Sequence, residues 1–119
     1  SNNFTIEAWV YPTSTNAYLG VVNNWQGGGE FIFFVYSTNK LGFTYTNQPS
    51  GISTISVYGT TQNVIQNAWN HVAVVRNGTT GTVYVNGVGL SGAISGTFNT
   101  NANLFIGIIL IALLFSLNT

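Results

Sequence analysis

Five side chains in this sequence can carry a charge or transfer a proton near neutral pH: Glu7, Glu30, Lys40, Arg76 and His71. Acid and base catalysis on a glycosidic bond needs two carboxyl groups about 5–9.5 Å apart, so Glu7 and Glu30 would have to meet in the fold. The chain holds no Asp and no Cys that could complete a triad or a metal site with His71. We therefore expect a protein that is not an enzyme.

The ionisable groups have structural roles in this interpretation. We expect Glu7 to be a partly buried carboxylate that pairs with Arg76, Lys40 or backbone amides. His71 is expected to be a hydrogen-bonded strand residue beside Trp69. The sequence therefore predicts no cofactor.

Calcium binding needs 6–8 oxygen ligands, and carboxylates supply most of the affinity. A chain without Asp is a poor source of such ligands. A weak calcium site from Glu30, Asn23, Asn24 and backbone carbonyls stays open as an alternative.

Sugar recognition requires less ionic chemistry, because an aromatic face stacks on a sugar ring while amides and hydroxyls bind its hydroxyl groups. The segment NNWQGGGE places a tryptophan among amides in a glycine-rich loop. It could equally fold back as a lid over the edge of the fold. The candidate ligand-binding residues are Trp25, Asn23, Asn24, Gln26, Tyr18, Tyr45 and Tyr58.

The rest of the sequence predicts short β-strands that would position these loops. The segment FTIEAWVY alternates, with Phe4, Ile6, Ala8 and Val10 on one face. Further strands are predicted over 17–22, 31–37, 41–46, 52–58, 69–76, 82–85 and 104–107. We expect a five-residue turn over 77–81, a second turn at Asn86-Gly87, and core positions for both Trp9 and Trp69.

Charge argues against two classes of partner. Charged residues make up 3% of the chain and the net charge is about zero, so the chain lacks the basic surface that nucleic acid or an anionic membrane surface attracts. Solubility must then come from amides and hydroxyls. We predict no nucleic-acid partner.

The C-terminal run LFIGIILIALLFSLNT contains no charge. It is shorter than the roughly 20 apolar residues of a membrane-spanning helix, so a membrane anchor is disfavoured and a buried strand or strand pair is favoured; a helix over 111–117 is the other pattern it could fit. With two basic residues and two prolines, the chain has little to protect sheet edges from pairing. The segment available for burial or assembly with another copy is Ile108, Ile109, Leu110, Ile111, Leu113, Leu114 and Phe115.

Two sequons, Asn3-Phe4-Thr5 and Asn77-Gly78-Thr79, are candidate glycosylation sites if the protein is secreted by a glycosylating organism. A chain this rich in Asn and Thr also produces such triplets by chance.

The motifs FTIEAWVYPTS, AWNHVAVVRNGTTGTVYVNG and ANLFIGI together resemble the laminin-G-like, concanavalin A-like lectin-glucanase jelly-roll modules. The resemblance covers about residues 3–108 and implies a two-sheet antiparallel β-sandwich used for adhesion or glycan binding. It also implies a charged closing strand, of the pattern G-Y-I-D-D-V-R-I, where this chain has IILIALLFSLNT. Either an apolar strand replaces it or the tail makes another contact.

We therefore predict one all-β jelly-roll domain over 1–119, with 108–119 as an atypical apolar segment. Its expected function is adhesion at an extracellular, cell or virion surface, with a glycan or surface polysaccharide as the partner. The alternative is a structural subunit that forms a homo-oligomer or filament through sheet edges and the apolar tail.

Overall fold

The computed structural model describes residues 3–14, 19–23, 31–36, 39–46, 54–58, 60–94, 105–106 and 110–118. For residues 22–23, 31–32, 45–46, 54–58, 105–106 and 110–118 the description is of the backbone. The regular secondary structure among the described residues consists of β-strands joined by turns and loops, and no helix occurs among them. The strands are β1 (Asn3–Val10), β2 (Leu19–Asn23), β3 (Phe31–Val35), β4 (Leu41–Thr46), β5 (Thr54–Tyr58), β6 (Asn70–Asn77), β7 (Thr80–Val85), β8 (Val88–Ala93), β9 (Phe105–Ile106) and β10 (Leu110–Asn118).

The strands make two antiparallel sheets of five strands each. The first sheet has the order β10-β1-β6-β7-β8, and the second has the order β5-β4-β3-β2-β9. The predicted all-β, two-sheet sandwich is confirmed. Within the described part of the chain we find no helix of the length and hydropathy that crossing a bilayer requires.

The core lies between the sheets and follows the alternation read from the sequence. Phe4, Ile6, Ala8 and Val10 of β1 are all buried, because every second side chain of a strand points to the same face. The ring of Phe4 meets that of Phe43 on β4 at 5.5 Å between centroids. This contact joins the two sheets, and an aromatic pair of this kind contributes about 0.5–1.5 kcal/mol beyond its buried area.

The β6–β7 hairpin is tighter than predicted. Asn77 pairs directly with Thr80, so the turn contains two residues, Gly78 and Thr79, rather than five. Gly78 has φ 61°, as the first central residue of a type II′ turn requires. The right-handed twist of the strands favours this short turn over a longer loop.

The next turn is confirmed, but the strand after it was missed. Asn86 and Gly87 have φ 49° and 84°, the pair of positive angles of a type I′ turn, and they lead into β8. The sequence of this strand, VGLSGA, contains two glycines and few residues that favour β-structure, so it was not predicted as a strand. Gly89 leaves room for the Tyr84 ring, because a Cβ at this position would lie 2.8 Å from Cε1 of Tyr84.

The apolar tail takes the place of the closing strand. β10 pairs antiparallel with β1 over nearly the whole of both strands, with Asn3 opposite Asn118 and Ile6 opposite Phe115. Of the two contacts left open for the tail, replacement of the charged closing strand by an apolar one is the observed one. Ile108 and Ile109 lie outside the described residues.

Candidate functional site

The outer face of the first sheet carries a group of aromatic rings, which we call the aromatic ladder: Trp9, Tyr11, Trp69 and His71. Trp9 and Trp69 are 46% and 42% exposed, and Tyr11 and His71 are half-buried. The predicted core positions for both tryptophans are therefore wrong. Position explains the difference, since Trp9 alternates with the buried Ala8 and Val10 and must face away from the core.

The four rings form two cross-strand pairs. Trp9 is the register partner of His71, and their ring centroids are 5.3 Å apart in an edge-on arrangement. Tyr11 and Trp69 make the next pair, also edge-on, at 5.2 Å. Residues two apart on a strand are separated by about 6.7 Å, so the two pairs form successive steps of one surface.

A β-bulge lies beside the ladder. Ala8 pairs with Leu113 and Val10 pairs with Leu110, so two residues of β10, Ile111 and Ala112, stand opposite the single residue Trp9. Bulges strengthen the local twist and change the direction of side chains, and they are frequent beside functional sites. The tail therefore contributes to the geometry of the ladder from the neighbouring strand.

Glu7 extends the ladder by one further step along β1. Its Oε1 lies 3.7 Å from Nε2 of His71, and both side chains are partly exposed, at 39% and 31%. The carboxylate of Glu7 therefore faces His71, and not Arg76 or Lys40, which we had expected as its partners. The His71 ring packs against Trp9, whereas we had expected it beside Trp69. This arrangement places a carboxylate and an imidazole next to an exposed indole.

Asn70 fixes the loop that carries Trp69. Its side chain is fully buried; Oδ1 accepts a hydrogen bond from the Ile65 N–H at 2.9 Å, and Nδ2 donates to the carbonyl oxygens of Ile65 and Ala68, each at 2.9 Å. Asn86 Nδ2 also donates to Asn70 Oδ1 at 3.3 Å. A polar side chain can be buried here because backbone groups satisfy both ends of its amide.

The same loop is attached to the segment that follows β1. The Asn67 N–H donates to the Pro12 carbonyl at 2.8 Å, and Gln66 Nε2 donates to the Thr13 carbonyl at 2.8 Å. Tyr11 and Trp69 are thereby held on adjacent, mutually bonded stretches of chain. The ladder is a preformed surface.

Tyr84 lies on the same outer face as Glu7, two strands away across the sheet. The register runs from Glu7 to Ala73 and from Ala73 to Tyr84, and Tyr84 in turn pairs with Gly89. Ala73 is 5% exposed although it lies on the outer face. The Tyr84 ring lies over Gly89, where a Cβ would be 2.8 Å from its Cε1.

The predicted ligand-binding loop is described only at its start. Asn23 ends β2, whereas Trp25, Asn24, Gln26 and Tyr18 lie outside the described residues. Tyr45 is in β4 opposite Phe31, and Phe31 is next to Ile32, the partner of Asn23, so Asn23 and Tyr45 belong to one end of the second sheet.

Tyr58 pairs with Gly42 at the other end of β4. The structure therefore separates Tyr58 from the end of the sheet that holds Asn23 and Tyr45. Glu30 also lies outside the described residues, so both the Glu7–Glu30 spacing and the weak calcium site stay predictions. Among the described residues there is no group of three or more His, Cys, Asp or Glu placed to hold a metal ion.

The two sequons lie at the same end of the first sheet, where β1 begins and β6 ends. Oδ1 of Asn3 accepts a hydrogen bond from the Gly78 N–H at 2.7 Å, and Asn77 is exposed where β6 enters its turn. Glycosylation of either residue stays a prediction.

Comparison with known families places this fold among lectin-like proteins. Residues 1–108 match the family model described as the concanavalin A-like lectin/glucanases superfamily. The match ends just before β10, the strand in which the tail departs from the resemblance. A search of curated proteins gives no match.

Solved structures with the same fold include several sugar-binding domains. The binding domain of botulinum neurotoxin serotype D has a TM-score of 0.68 at 13% identity, over 91% of this chain and 28% of that one. The CBM40 of the Ruminococcus gnavus IT-sialidase, bound to α2,3-sialyllactose, has a TM-score of 0.67 at 15% identity, over 98% of this chain and 63% of that one. Sheep galectin-11 has a TM-score of 0.67 at 15% identity, over 97% and 90%. This chain thus spans less than two thirds of the first two structures, and at these identities the likeness is one of fold.

Proposed function

Because the chain belongs to the concanavalin A-like lectin/glucanases superfamily, we propose that it is a glycan-binding module that holds sugar rings against the aromatic ladder. The observation that carries this proposal is the pair of exposed indoles, Trp9 and Trp69, each packed edge-on against a second ring. The solved structures of similar fold support a glycan as the class of ligand, since one of them is bound to sialyllactose.

The geometry of the ladder suits stacking. A soluble protein gains nothing by exposing large aromatic surface to water, so contiguous exposed rings mark interaction sites. Tyr and Trp offer an apolar face to the sugar and keep a hydrogen-bonding group at the edge. From Glu7 to Tyr11 the surface runs about 13 Å along the strand, which is long enough for more than one sugar ring.

The proposed role is binding without catalysis. Glycoside hydrolysis uses two carboxyl groups in most families, and within the described residues Glu7 is the one carboxylate on the ladder, where it faces His71. Adhesion at an extracellular, cell or virion surface fits such a binder. We propose that setting with the function.

Trp25 and its neighbours Asn23, Asn24 and Gln26 are a second proposed contact surface. Their amides and the adjacent glycines suit hydrogen bonding to sugar hydroxyls. Binding at this surface would be lost in different variants from binding at the ladder, so one set of tryptophan variants distinguishes the two.

The experiment is retention on immobilised polysaccharides and glycan affinity for Trp9→Ala, Trp69→Ala and Trp25→Ala. We expect the first two changes to weaken binding by about tenfold each, since each removes a stacking face. Their melting temperatures should change little, because both side chains are largely outside the core. Full retention by both ladder variants, with loss in Trp25→Ala, would assign binding to the loop.

One observation favours a second candidate function, assembly with further copies. β10 is nine residues long and forms the outer edge of the first sheet, and its sequence LIALLFSLN has no charge and no proline. Edge strands of this kind expose unpaired backbone groups that another strand can join. Such pairing would make a dimer or, if the contact does not close, a filament.

Light scattering of the intact protein and of Ile111→Lys tests this alternative. Assembly predicts large species for the intact protein and small ones for the variant, because a lysine on an edge strand opposes pairing. Serine at the same position is the matched control and should leave the large species in place. A monomer of unchanged size in all three would remove assembly as a function.

A further inference from the structure

The charges around the aromatic ladder define which class of glycan it can accept. We propose that the ladder selects neutral glycans over glycans that carry a carboxylate, such as sialylated ones, and that Glu7 is the residue responsible. This inference rests on the proposed function, because it concerns the same surface. It sets the chain apart from the structural neighbour that is bound to sialyllactose.

The ladder itself presents a negative group. The Glu7 carboxylate is partly exposed one step from Trp9 on the same face. The ladder beside Glu7 consists of two indoles, a phenol and the imidazole of His71. No lysine or arginine lies on this surface among the described residues.

The two cations of the chain are engaged elsewhere. Arg76 is 7% exposed, and its Nε donates to the Gly78 carbonyl at 3.0 Å. Lys40 precedes β4 of the opposite sheet, and its Nζ donates to the Thr61 carbonyl at 3.2 Å. The sequence contains one lysine and one arginine, so no further lysine or arginine is available to the ladder.

Recognition of a carboxylate ordinarily depends on such cations. Charge-assisted hydrogen bonds from Arg or Lys are the strong ones for this group, and here a bound carboxylate would instead approach Glu7. At about 7 Å in a well-solvated site, two like charges repel enough to weaken binding about threefold, and more where water is partly excluded. Neutral sugars meet no such repulsion on an aromatic face.

The test measures the dissociation constants of paired glycans that share one core and differ by a terminal sialic acid. Lactose and α2,3-sialyllactose are one such pair. We expect the neutral member to bind about three- to tenfold more tightly at low salt. Raising the salt should narrow the gap, because screening acts on charge repulsion between exposed groups and not on stacking. Glu7→Gln should narrow it in the same way without added salt.

Glu30→Gln is the matched control, since it removes the chain's other carboxylate. It should leave the preference between paired glycans unchanged. If Glu30→Gln and not Glu7→Gln alters the preference, selection belongs to the glycine-rich loop and the inference fails. Equal or tighter binding of the sialylated member by the unmodified protein also overturns the inference while leaving glycan binding in place. If neither member of any pair binds, the proposed function itself fails.

Discussion

Asn70 offers the sharpest test of how the site is built. Its buried side chain makes hydrogen bonds to three backbone groups of the loop before β6: the N–H and C=O of Ile65 and the C=O of Ala68. Asn70→Ala removes these partners together. The loop would lose the contacts that fix its shape, although the core between the sheets would remain.

The expected loss of stability in Asn70→Ala follows from the number of hydrogen bonds that are lost. A hydrogen bond contributes about 0.5–1.5 kcal/mol net, and a buried group left without a partner costs about 1–3 kcal/mol. The loop is partly exposed, so water replaces some of the lost contacts. We expect Asn70→Ala to lower the free energy of unfolding by about 3 kcal/mol, which corresponds to a fall in melting temperature of roughly 10 °C in a domain of this size.

Urea unfolding followed by fluorescence measures this change, with Asn63→Ala as the matched control because Asn63 is exposed in the same loop. Hydrogen exchange should become faster at the Ile65 N–H in Asn70→Ala and not in the control. Asn70→Asp keeps the acceptor atom but loses both donors and buries a carboxylate, so it should destabilise at least as much. Equal stability of Asn70→Ala and Asn63→Ala would show that the Asn70 hydrogen bonds do not hold the loop.

Three further changes test individual features of the fold. Thr60→Val removes a buried hydroxyl that accepts a backbone N–H at 3.1 Å and donates to a carbonyl at 2.9 Å, so denaturant unfolding should show a loss of about 1–2 kcal/mol, whereas Thr60→Ser should show little. Gly87→Ala places a Cβ at φ 84° and should cost about 1 kcal/mol in thermal melts, while Gly87→Asn should cost less, because asparagine adopts positive φ more readily than alanine. Gly89→Val must displace the Tyr84 ring, and a melting temperature equal to that of the unmodified protein would contradict this packing.

The alternation along the sequence predicted the core of β1 well, because burial of every second residue is a direct consequence of strand geometry. The same alternation put Trp9 on the opposite face. We expected a core position because aromatic residues in strands are usually buried, and the structure shows that the face of the sheet outweighs the residue type. The alternation of β1, extended to Trp9, predicts that this indole lies on the outer face with Glu7 and Tyr11.

Trp69 and the loop contacts could not be read in this way. Trp69 lies just before β6, and its position depends on the hydrogen bonds of Asn70 within the loop and on the hydrogen bond from Asn67 to Pro12. The second contact joins residues far apart in sequence. The His71–Glu7 pairing likewise follows from the register of β1 against β6, which no local pattern encodes. The Trp25 loop, proposed from composition, stays a prediction.

Binding of a glycan on the aromatic ladder can be observed directly, because the chain has three tryptophans and two of them lie on the ladder. The three indole N–H signals in a ¹H–¹⁵N spectrum, assigned with single Trp→Phe variants, should be followed during titration with a glycan that retains the protein on a column. A glycan bound on the ladder should shift the signals of Trp9 and Trp69 together and with the same dissociation constant. Shifts confined to Trp25, with both ladder signals unmoved at saturation, would show that the ladder is not the binding surface.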